Sequence, residues 1–146
     1  MEKSVILKEK LRNAFGLREQ DIRTYSPLTL AYIGDAIFEL VVRTVLVERK
    51  NTQAEKLHKA ATKIVKAETQ ALLAEVLKEN LTEEELAVYK RGRNAKAVTR
   101  AKNATMSEYR RATGFEALMG YLYLKGDMER MIELISLGVE KAEVTL

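Results

Sequence analysis

One proline in 146 residues, at position 27 directly after Ser26, constrains this chain more than any other feature. A sequence almost free of proline, with seven glycines and apolar residues recurring at intervals of three and four, is a helical one. No stretch alternates as a strand would. Ser26 reads as an N-cap and Pro27 as a first-turn residue whose missing N–H costs nothing. The helix it opens carries a stripe of Leu30, Ile33, Ile37, Leu40, Val41 and Val45 for a core. The spacing predicts a shorter helix over Lys3 to Phe15, closed by Gly16. Thr52-Gln53-Ala54-Glu55 has the form of a capping box and predicts one long helix to about Lys78. A second box, Thr82 to Glu85, opens the next.

Between about Arg91 and Thr105 the apolar period vanishes, which predicts an exposed loop. Thr105 to Glu108 then caps a short helix leading into an apolar one around Phe115, Leu118, Met119 and Leu122. Gly126 closes that helix and Asp127 caps the last. At 47% hydrophobic residues, the expectation is a single all-α domain over 1–146, a helical bundle without a linker.

Charge is unevenly placed. Residues 90–111 hold eight cations and one acid, a net +7, while the rest of the chain is −3. A concentrated cationic stretch on a slightly acidic body suits phosphate binding, because neutralised phosphates release their counterions. The residues expected to touch such a polyanion are Lys90, Arg91, Arg93, Asn94, Lys96, Arg100 and Lys102, with Tyr109 as the aromatic nearest to it. Without cysteine there is no disulfide framework and no thiolate zinc site. No apolar run is long enough to span a bilayer, so the expectation is a cytoplasmic protein without membrane contact. His58 is the only histidine, which excludes a histidine-pair mechanism and reads as a surface or packing residue.

Two carboxylates stand among apolar helical residues, Asp35 in Ala31 to Leu40 and Glu116 in Phe115 to Leu122. A carboxylate near a core needs a cation, a hydrogen-bond network or a metal. Gly34 and Gly120 would let two helix backbones approach closely, bringing both acids to one hard cation such as Mg²⁺. Salt bridges to lysine or arginine satisfy the same spacing. Glu39, one turn after Asp35, could act through water or in a salt bridge. The tyrosines and phenylalanines at positions 32, 38, 115, 121 and 123 have the spacing of core or interface residues.

LAYIGDAIFEL, residues 30–40, resembles the signature helix of the ribonuclease III family, and FEALMGYLYL, residues 115–124, resembles its second acidic helix. Lys90 to Lys96, KRGRNAK, is similar to the loop of the compact branch, Mini-ribonuclease III. The resemblance implies a helical endonuclease domain and a homodimer whose valley receives an RNA duplex and leaves 3′ overhangs. It places the metal-binding and catalytic roles on Asp35 and Glu116, with Mg²⁺ as cofactor and Mn²⁺ able to substitute. Ala31 and Thr113 stand where the family usually has two more carboxylates. The branch implies precursor 23S ribosomal RNA as substrate, a ribosomal protein as helper, and no separate double-stranded-RNA-binding domain. Two other readings fit parts of the pattern: a non-catalytic helical RNA-binding module, favoured by the missing carboxylates, and a metal-dependent nucleotide hydrolase, which leaves the basic stretch idle.

Overall fold

The computed structural model describes residues 3–95 and 105–146, and all regular structure among them is helical. The helices are α1 (Lys3–Phe15), α2 (Pro27–Arg49), α3 (Ala54–Val65), α4 (Ala67–Leu77), α5 (Glu83–Asn94), α6 (Met106–Lys125) and α7 (Met128–Lys141), with 3-10 turns at Ile22–Thr24 and Lys78–Asn80.

Most helix ends follow local chemistry. Ser26 accepts from the Thr29 N–H at 3.2 Å, ahead of Pro27. Thr82 and Thr105 each form a complete capping box, with Glu85 and Glu108 respectively. Gly126 takes the left-handed conformation, φ 88°, that glycine adopts without penalty, and Asp127 caps α7.

Three expected helix bounds before α6 are corrected. The box at Thr52 does not form: α3 begins one residue later, behind Gln53, without a side-chain cap. The long helix expected to reach Lys78 is broken at Lys66, whose ψ of 154° ends α3 and starts α4. The carbonyls released by the break are taken by side chains, Thr69 Oγ1 donating to Lys63 O and Gln70 Nε2 to Val65 O, both at 2.6 Å. Lastly, α5 continues through Gly92 to Asn94, where a loop was expected. Gly92 is a packing residue rather than a breaker. A Cβ there would lie 2.8 Å from Ala117 Cβ and 2.9 Å from Gly114 Cα.

Helix α6 is the centre of the molecule, one 20-residue helix where a short and a longer one were expected. From Ala112 to Tyr123 every residue but Glu116 is buried, because α2, α4 and α5 pack around it. A helix apolar on all sides belongs inside. Phe38 and Phe115 meet edge to face, ring centres 5.0 Å apart. The core face of α2 is Leu30, Ala31, Gly34, Ile37, Phe38 and Val42. Leu40, expected on it, is 56% exposed. Arg130 of α7 grips the buried Glu85 through two nitrogens at 2.8 and 2.9 Å, holding its carboxyl below the usual range.

Candidate active site

The site is a consequence of one helix crossing. A Cβ on Gly34 would fall 1.7 Å from the Glu116 carbonyl oxygen, and one on Gly120 would fall 1.9 Å from that of Leu30. Only glycine at both positions lets the α2 and α6 backbones touch there. Asp35 follows Gly34 directly, and Glu116 lies one turn before Gly120. The crossing therefore brings the two acids to the wall of one groove.

Burial pushes Glu116 up to about 8, with the Asp35 hydrogen bond and charge adding to the effect and Gln70 opposing it. Two carboxylates held this way repel one another when ionised. A divalent cation relieves that repulsion, so the pair fits a metal. Among the described residues no three histidine, cysteine, aspartate or glutamate side chains are grouped so that together they could hold a metal ion. A cation here would take most of its ligands from water.

Both acids line an open groove, which Tyr32, Tyr109 and Glu39 share. Ala31 and Thr113 line it too, so all four positions that the resemblance marks as acidic meet in one place. Neither adds a charge, and Thr113 Oγ1 donates to the Tyr109 carbonyl at 3.0 Å. Glu39 is held in a salt bridge by Arg43, one turn on, at 2.6 Å. Tyr109 stands in the acidic groove rather than in the basic patch. Tyr32 is 82% exposed, whereas Phe38, Phe115, Tyr121 and Tyr123 are buried.

Gln70 is the site residue that the sequence pattern did not point to. It is 2% exposed, and its Nε2 lies 3.4 Å from Glu116 Oε2. The available signal was a polar residue in the apolar register of α4, three, four and seven places before Leu73, Ala74 and Leu77.

The expected RNA contacts are helical where they are described. Lys90, Arg91 and Asn94 are exposed on the last turns of α5. Arg93 lies over the Tyr89 ring, 5.7 Å from its centre, and donates to Asn94 Oδ1 at 3.2 Å. Lys96, Arg100 and Lys102 lie outside the described residues. Arg93 and Asn94 share a second hollow with Ser107, Arg110 and Arg111 of α6. Arg111 also pairs with Glu75 at 3.4 Å. His58 lines a different hollow, between α2 and α3 beside Arg43.

Residues 28–127 match the family described as the Ribonuclease III domain. The chain is 43% identical to Mini-ribonuclease 3 of Thermoanaerobacter, over 98% of this chain and 99% of that protein. It is 45% identical to Mini-ribonuclease 3 of Clostridium tetani, over 86% and 83% respectively. A crystal structure of a Fusobacterium nucleatum protein superposes with a TM-score of 0.75 at 34% identity, covering 83% of this chain and 97% of that one. A helical fold, a domain match over most of its length and relatives at this identity agree: the chain belongs to the ribonuclease III family, on its Mini-ribonuclease 3 branch, and is an endoribonuclease.

Proposed function

We propose that this protein is a Mg²⁺-dependent endoribonuclease that cuts double-stranded RNA, with Asp35 and Glu116 as its metal-binding and catalytic residues. The observation that carries the reading is the convergence of these two acids on one open groove, where burial and the neighbouring Asp35 disfavour the charge on Glu116 until a cation offsets them. Bound there, Mg²⁺ supplies neutralisation of phosphate charge and a more acidic water for hydrolysis, a role that Mn²⁺ can also fill. Asp35 and Glu116 are the residues that would hold the cation. Gly34 and Gly120 keep the two acids at one point. Lys90, Arg91 and Arg93, with Arg110 from α6, meet backbone phosphates, while Asn94 offers an amide to phosphate or 2′-hydroxyl. Such contacts read the shape of an A-form duplex more than its bases.

The finer reading is maturation of precursor 23S ribosomal RNA in the cytoplasm by a homodimer, assisted by a ribosomal protein. Support for a dimer comes from α2, where Leu28, Tyr32, Leu40 and Val47 are all exposed on the side away from the core. No described helix is long and apolar enough to cross a membrane.

The test is cleavage of a long RNA duplex with and without Mg²⁺, using Asp35→Asn as the control. The variant is expected to fold and to bind the duplex as before while losing cleavage. Undiminished cleavage by it overturns the site assignment, and binding without cleavage by the unaltered protein in Mg²⁺ overturns the proposed reaction.

A further inference from the structure

Resting on the cation-site reading above, we propose that Gln70 is a positioning residue for Glu116, its side-chain amide clamping that carboxylate to the backbone at the α3–α4 break. The reason begins with the break itself. Lys66 leaves helical geometry, which strips the Val65 carbonyl of its helical partner, and Gln70 Nε2 donates to that carbonyl at 2.6 Å. A primary amide has two N–H bonds on one nitrogen. With one committed to Val65, the other is left for Glu116 Oε2, 3.4 Å from the same nitrogen.

The orientation of the amide is fixed by the same contact. Reversed, it would set its oxygen against the Val65 carbonyl oxygen at hydrogen-bond distance, acceptor against acceptor. The nitrogen must therefore face both oxygens. This leaves the amide oxygen of Gln70 buried and without a partner. Its neighbours Leu73, Ala74 and Leu77 are apolar and buried, so a methionine or leucine would pack at this register without that cost. What glutamine adds is the link between a backbone carbonyl and Glu116.

The link matters more here than in a site rich in ligands. Ala31 and Thr113 provide no carboxylate, so the direction of each remaining acid decides how well a cation is held. Partners that orient a metal ligand typically contribute about 10- to 100-fold in metal affinity. Gln70 reaches Glu116 from α4, across from the α2 helix that carries Asp35. Three helices then define the site, the third through one amide.

The experiment titrates Mn²⁺ into the full chain and reads free ion by electron paramagnetic resonance, comparing the unaltered protein with Gln70→Met. The expected result is a Mn²⁺ dissociation constant raised about 10- to 100-fold, with cleavage rate recovering as metal is raised. A purely structural role would lower the melting temperature and leave the constant unchanged. That result, an unaltered constant in a folded variant, overturns the proposal. Should Gln70→Met fail to fold, the side-chain amide resonances of Gln70 in the unaltered protein take its place. Movement in step with Mg²⁺ saturation supports the clamp, and no movement overturns it. Absence of Mn²⁺ binding by the unaltered protein would instead bring down the cation site itself, and Gln70 with it.

Discussion

Glu116 carries the electrostatic strain of the site, and its protonation ties function to stability. In the unfolded chain it titrates near 4.5, whereas burial and then Asp35 push it to about 8 in the fold. A carboxyl raised in this way contributes stability fully below pH 4.5 and loses it as pH rises to about 8, since the unfolded chain gives up a proton that the native state keeps. In metal-free buffer the protein should therefore lose stability over that window and level off above it, by a few kcal/mol at most. Glu116→Gln, which keeps the shape and removes the charge, should flatten this part of the profile and be the more stable protein at about pH 8. Urea melts from about pH 5 to about pH 9 measure both. Added Mg²⁺ should stabilise the unaltered protein at the alkaline end and leave Glu116→Gln unmoved, while only the unaltered protein cleaves. Parallel pH profiles for the two would show that Glu116 is not the strained group.

Among the elements, the α2–α6 crossing decides whether a site exists. Alanine at Gly34 or Gly120 would place a methyl carbon 1.7 or 1.9 Å from a backbone oxygen, and backbone at the crossing cannot yield as a side-chain tip would. Each substitution should cost about 3 kcal/mol or more, at or beyond the upper end for overpacking, and should weaken Mg²⁺ binding by separating the acids. Thermal melts and metal titration check the two effects together. A Gly34→Ala protein with normal stability would mean that the helices do not touch there. This crossing was legible in the sequence, because a glycine inside an apolar helix sacrifices helix stability unless a second backbone needs the space. The caps at Ser26, Thr82 and Thr105 were legible too, each being set by two residues three apart. The break at Lys66 was not: side-chain bonds from Thr69 and Gln70 sustain it, and no local proline or glycine announces it. Gly92 misled for the opposite reason, as a residue that resembles a helix end until α6 is laid against it. Gln70 went unseen because its purpose lies 46 residues away, at Glu116.

At the scale of the whole molecule, the core accounts for one side of α2 and leaves the other bare. Leu28, Tyr32, Leu40 and Val47 are 40%, 82%, 56% and 49% exposed, and their spacing puts them on one face. Tyr32 also borders the acidic groove, so whatever covers this face sits beside Asp35. A second copy meeting the first through α2 would bury the stripe and set two grooves side by side, one for each strand of a duplex. Tyr32→Glu places a charge one turn into that stripe, outside the core though at the border of the groove that Asp35 and Glu116 share, and a desolvated unpaired charge is costly at an interface. If the proposed dimer forms through this face, the expected outcome is a dimer for the unaltered protein and a monomer for the variant by sedimentation equilibrium, with an unchanged far-ultraviolet spectrum and a shift from double-strand cuts to slow single-strand nicks in duplex RNA. A Tyr32→Glu protein that remains dimeric and still cuts both strands would place the interface elsewhere on the surface.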